Sequence, residues 1–315
     1  MEASTLVPYN TTESKSTVSR DIRIWITLTV TLILFWGIFL FFIVLMLHAF
    51  FTTAHLRTQM RYVLFMYTLV NDTLNLTTCV LLFLLTFALY QIPVRGCHFV
   101  VTIAASTFLN SRTGLAVMAL ERYAAICFPL RHSVICSVER SWVPITVSSV
   151  IGFMPSFIDI IILSTSVPEE FFFERVICRR EYLIVTPYQA TRMIVTDATT
   201  FTMVALIILY TYIKIMMEAK KVNGDSASTG KANKTVVIHA AQLSLSLTSF
   251  TSPISEYLMR QQVAFVRFFY FFLFMLFPIF LSPLIYGFRD ENFRNHIKKF
   301  LACRPHKTKR VGHTP

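Results

Sequence analysis

The chain is poor in charge. Asp, Glu, Lys and Arg make up 15% of its 315 residues, against roughly a quarter in ordinary soluble domains. That excludes a soluble multidomain enzyme and a disordered chain, since both need polar side chains to stay solvated. Glycine is scarce at 8 and proline modest at 12, so no long flexible linker is expected; the run 224–230 is the one low-complexity candidate. No internal repeat is visible. Catalytic signatures are missing too: there is no His-Glu-x-x-His, no Gly-x-Gly-x-x-Gly and no phosphate loop. The 8 His are scattered. No enzyme activity, metal or cofactor is expected. The first 23 residues hold no apolar core, so no cleavable signal peptide is expected and the first span acts as its own anchor.

What the chain has in excess is hydrocarbon. Hydrophobic residues reach 55% and Phe alone 30, with a mean hydropathy of +0.59. A spanning helix needs about 20 mostly apolar residues. Seven stretches qualify: 24–47, 62–89, 97–121, 141–165, 193–216, 235–257 and 266–287. Helices are the default because lipid offers no partner to unpaired backbone groups. The fold class expected is an all-α membrane protein, a seven-transmembrane helix bundle. Residues 1–23 form a polar tail, 24–287 the bundle, 288–302 a short amphipathic eighth helix and 303–315 a second tail.

An odd number of spans puts the termini on opposite sides. Basic residues concentrate in cytoplasmic segments. With the N-terminus outside, those segments carry 18 of the 29 Lys and Arg, the outer segments 10, and the membrane one, Arg112. The net charge of +12 thereby becomes a topology signal and a surface for lipid, with no call for nucleic acid. Asn10-Thr11-Thr12 is a glycosylation acceptor in the tail. The similar triplets at Asn71, Asn75 and Asn233 fall in spans or on the cytoplasmic side. Of the six cysteines, Cys97 and Cys178 reach the outer side, as one bridge or as two separate thiols.

The third span ends Met118-Ala119-Leu120-Glu121-Arg122-Tyr123-Ala124-Ala125-Ile126-Cys127-Phe128-Pro129-Leu130-Arg131-His132. This resembles the Asp/Glu-Arg-Tyr motif of rhodopsin-like (class A) G-protein-coupled receptors, and more narrowly the signature of odorant receptors. Other segments agree in order: Cys97 before Arg122, Trp142 early in span four, and Thr211-Tyr212-Ile213 closing span five. Lys231-Ala232-Asn233-Lys234-Thr235 with His239 opens span six, and Pro283-Leu284-Ile285-Tyr286 closes span seven. Ser282, Gly37-Ile38 and Ser111 depart from the family pattern.

The resemblance implies a Cys97–Cys178 disulfide and a G-protein switch of Glu121, Arg122, Tyr123, Tyr212, His239 and Tyr286. It implies an agonist site between spans three, five, six and seven, with candidates Ala104, Ala105, Phe108, Leu109, Asp197, Thr200, Phe250, Thr251, Ile254 and Met275. Asp72 and Ser111 form a possible sodium or water site. The implied partners are a small-molecule odorant, a heterotrimeric G protein and membrane lipids, and the implied location is the plasma membrane. Cys303, after the amphipathic segment, is a palmitoylation candidate.

Three ionisable groups are less expected. Arg112, Asp159 and Asp197 lie inside spans, where charge is costly and usually functional. Arg112 needs an acidic partner, and the sequence leaves Asp159 and Asp197 both open. Asp197, amid Thr196, Thr199 and Thr200, is either that partner or a ligand contact.

Overall fold

The computed structural model describes residues 11–87, 91–222, 264–281 and 293–294. The expected sixth span, the end of the seventh and most of 288–302 lie outside them. So do the side chains of Asn10, His239, Phe250, Thr251, Ile254, Met275, Tyr286 and Cys303.

The elements in order are α1 (Thr11–Thr52), α2 (Ala54–Arg57), α3 (Met60–Phe87), β1 (Gln91–Pro93), α4 (Val94–Cys127) and α5 (Pro129–Ile135). There follow α6 (Trp142–Ser166), β2 (Arg175–Ile177), α7 (Pro187–Val222) and α8 (Ala264–Phe271). α8 runs through a π-helical turn (Phe272–Leu276) and on to Leu281. The helices overrun the apolar stretches. α1 extends back into the polar segment, and α4 and α7 project several residues beyond 97–121 and 193–216.

Among the described residues, four stretches are long and apolar enough to cross a membrane: Trp25–Thr52, Met60–Thr86, Val138–Ser166 and Pro187–Glu218. α4 is as long, but more polar. Its buried residues include Ser106, Thr107, Asn110, Arg112, Thr113 and Glu121. The reason is position: α4 packs against α3, α6 and α7, so its polar groups meet protein rather than lipid. The outer helices show the reverse. Ile33, Leu34, Phe41 and Val44 of α1, Val147, Val150, Phe153 and Phe157 of α6, and Ile194, Leu206 and Leu209 of α7 are exposed. An apolar surface of this extent fits lipid contact.

Two packing modes hold the helices together. α1, α3 and α8 share an aromatic core. Phe35 meets Phe272 and Phe280, and Phe83 meets Phe268. The fully buried Phe293 sets its ring edge against Tyr62 and Phe65, tying the segment after the bundle to the start of α3. α6 meets α4 differently, through Ser148, Gly152 and Ser156, which are buried at four-residue spacing. Small residues let two helices approach closely. A Cβ built on Gly152 would meet Asn110 Cβ at 2.9 Å and the Ser106 carbonyl oxygen at 3.1 Å.

The chain is not purely helical. β1 and β2 pair antiparallel, Gln91 opposite Ile177 and Pro93 opposite Arg175. Beside them Cys97 and Cys178 form a disulfide with Cα atoms 5.2 Å apart. The bridge sits in a cluster with Val94, Val101, Leu163 and Leu183, and Thr86 Oγ1 donates to the Cys178 carbonyl at 3.0 Å. The α6–α7 loop is thus pinned across one end of the bundle. Asn71 and Asn75 are buried in α3, which removes them as glycosylation acceptors.

Two outcomes follow. Gly152→Val should cost about 1–3 kcal/mol by overpacking the α4–α6 contact, read as a lower thermal midpoint of the detergent-solubilised protein. The disulfide closes a chain separation of 81 residues, so Cys97→Ser should cost about 2–4 kcal/mol. The double Cys97→Ser/Cys178→Ser variant should be no less stable than the single one; an additive loss would show that each cysteine acts separately.

Candidate functional site

At the end of α4 away from the disulfide, Glu121 is buried and carries two partners. Arg122 Nε lies 3.8 Å from its Oε2, and His132 Nε2 lies 3.3 Å from its Oε1. His132 comes from α5, whose start is set by Pro129 at the first helical position. One carboxylate therefore ties α4 to the following loop while holding the guanidinium beside it. Tyr123 sets its ring edge against Phe128 and against Tyr210 of α7. The ring that reaches this motif is thus Tyr210; Tyr212, two residues on, is half-buried.

Deeper in, Arg112 is buried, with its guanidinium 3.7 Å from Asp197 and 3.7 Å over the Phe108 ring. Asp159 does not reach it: its partner is Arg192 of α7. The choice the sequence left open is made by which helix faces which. α4 packs broadly on α7, whereas Asp159 of α6 meets α7 one turn nearer the disulfide. The polar group around Asp197 splits. Thr200 is buried, but Thr199 is exposed and donates to the Val195 carbonyl of its own helix at 2.7 Å.

A directional chain of hydrogen bonds crosses three helices. Ser148 of α6 donates to Asn110 Oδ1 at 2.8 Å, and Asn110 Nδ2 donates to Asn71 Oδ1 at 2.9 Å. Asn71 Nδ2 then donates to Ser111 Oγ at 2.8 Å, and Ser111 donates to the Asp72 carboxylate at 2.5 Å. Asp72 and Ser111 are brought together as the sequence implied. Asn71, Asn110 and Ser148 were missed, although an Asn inside an apolar span is the signal that marks such groups. Bonds in series polarise one another in a low-dielectric interior.

Under the pinned loop, α4, α6 and α7 enclose a cavity of about 40 Å³. His98, Thr102, Ala105, Asp159, Arg180 and Met193 line it. Of the expected ligand residues, Ala105 reaches this cavity. Ala104 and Phe108 are half-buried elsewhere on α4, and Leu109 is buried in its packing.

The comparisons agree with this geometry. The profile of the 7 transmembrane receptor (rhodopsin family) matches residues 44–304. Odorant receptor 131-2 of Danio rerio is 33% identical over 67% of this chain and 67% of its own length. Olfactory receptor 8H3 of Homo sapiens is 31% identical over 60% of this chain and 62% of its own. Olfactory receptor 8H1 of Homo sapiens is 30% identical over 64% of each. The chain belongs to the rhodopsin-like receptors, in their olfactory group. The matches span about two thirds of the length of these relatives.

The receptor is therefore a multi-pass membrane protein and not an enzyme. Its Glu121-Arg122 pair, Arg112–Asp197 pair and Asp72–Ser111 contact all converge on α4, which touches α3, α6 and α7. Removing one member of a buried pair strands the other charge and costs about 3–5 kcal/mol, whereas an apolar replacement of both is often neutral. Asp197→Leu alone should therefore depress surface expression, and Arg112→Met/Asp197→Leu should restore most of it, as flow cytometry of an N-terminally tagged receptor would show. Equal loss in both would mean that the pair contributes nothing to folding.

Proposed function

We propose that the receptor binds a small odorant within the helix bundle, on the disulfide side, and activates a heterotrimeric G protein through the Glu121-Arg122-Tyr123 end of α4. The observation that carries this is the clasp on Glu121, which restrains Arg122 at the end opposite the pinned loop. Agonist binding shifts a two-state bundle. When span six, 235–257, swings outward, Arg122 leaves Glu121 and faces the G protein, with Tyr212, His239 and Tyr286 as the expected partners of the open state. Ala104, Ala105, Phe108, Leu109, Asp197, Thr200, Phe250, Thr251, Ile254 and Met275 remain the candidate agonist contacts. Asp72, already holding the Ser111 hydroxyl, offers its remaining oxygen positions to water or sodium.

The direction of α1 supports a plasma-membrane receptor with its N-terminus outside. Trp25, early in α1, meets Phe83 near the end of α3, so the N-terminal side of α1 lies at the disulfide end. Disulfides persist in oxidising compartments, which assigns that end to the exterior. Asn10 would then be open to glycosylation. The opposite end would then face the cytosol, the side on which Cys303 is a palmitoylation candidate and the basic residues of 288–302 would attract anionic lipid. A stimulatory, cAMP-raising G protein is the coupling that the family resemblance favours.

Arg122→Ala should abolish agonist-evoked cAMP while leaving surface expression within about twofold of the wild type, since His132 still partners the Glu121 carboxylate. A screen of odorants on cells carrying both forms measures this. A normal response from Arg122→Ala would remove the residue from the switch.

A further inference from the structure

The cavity under the pinned loop carries a charge that its own residues leave unbalanced. Asp159, its one lining carboxylate, is engaged by Arg192. Arg180 enters from the short helical turn Arg180–Leu183 of the α6–α7 loop. Among the described residues, no carboxylate lies within ion-pair distance of Arg180. His98 lines the same space and brings a ring N–H donor. The remaining wall is largely hydrocarbon: Val101, Leu183 and Met193.

We propose that this cavity binds a small monocarboxylate, its carboxylate paired with Arg180 and its chain laid along Val101, Leu183 and Met193. Each competing chemistry fails on a named residue. An ammonium would find Asp159 already neutralised by Arg192. A phosphate or sulfate dianion would need more than one free cation, and Arg192 is committed. A neutral ligand would leave the exposed Arg180 guanidinium to water and gain nothing from it, whereas a carboxylate matches its forked donors. A signalling role for this site rests on the receptor reading above; binding itself does not.

The test uses the full-length receptor, purified in detergent, and tritiated hexanoate. Saturable binding is expected, displaced by unlabelled butyrate and not by methyl hexanoate or hexylamine. Arg180→Gln should weaken binding at least about tenfold, the worth of one charge-assisted hydrogen bond, and Arg180→Lys should recover part of the loss. Arg95→Gln, which removes a cation stacked on Phe173 at the same end of the bundle, should leave the affinity unchanged. No saturable binding, competition by the ester equal to that of the acid, or an equal loss in Arg95→Gln and Arg180→Gln would each overturn the assignment. A parallel cAMP assay keeps the two ideas apart. Hexanoate binding that depends on Arg180 but evokes no G-protein response supports the site and counts against the receptor reading. Responses to neutral odorants without hexanoate binding do the opposite.

Discussion

Lipid gives a polar side chain nothing to bond to, and α4 is the helix for which this matters most. It carries Asn110, Ser111, Arg112, Thr113 and Glu121 along one span. These groups are tolerable because α3, α6 and α7 wrap the helix and supply partners. The arrangement of the bundle follows from that need. α6 comes close through Ser148, Gly152 and Ser156, α3 brings Asn71 and Asp72, and α7 brings Asp197. α1, α6 and α7 turn bare hydrocarbon outward on the faces away from these contacts.

The same arrangement divides the molecule into a braced part and a part with fewer polar ties. α3, α4 and α6 are joined by the hydrogen-bond chain from Ser148 to Asp72. α7 joins α4 mainly through the Arg112–Asp197 pair, an apolar cluster around Ala116 and Val204, and the ring contact between Tyr123 and Tyr210.

Much of this was legible in sequence, and for identifiable reasons. Apolar stretches of about 20 residues predict spans because the thickness of the bilayer is fixed. The segment from Met118 to His132 carries the family resemblance because its residues are contiguous. The cysteine pair was readable through family resemblance, and the structure closes it. Less legible were contacts between residues distant in sequence. Nothing local in Asn71 or Asn110 says that they face each other across two helices. Thr199 and Thr200 look alike in sequence, yet rotation about the helix axis by one residue sends one to the surface and the other inside.

The sequence by itself determined that this protein crosses a membrane several times, which family it resembles and where its Glu121-Arg122-Tyr123 motif lies. Each of those depends on local composition or on contiguous motifs. Tertiary structure alone decided that Arg112 pairs with Asp197 while Asp159 goes to Arg192, that His132 shares Glu121, and that Arg180 overhangs a cavity. Those outcomes depend on which faces of the helices meet, and helix packing is set by side chains far apart along the chain.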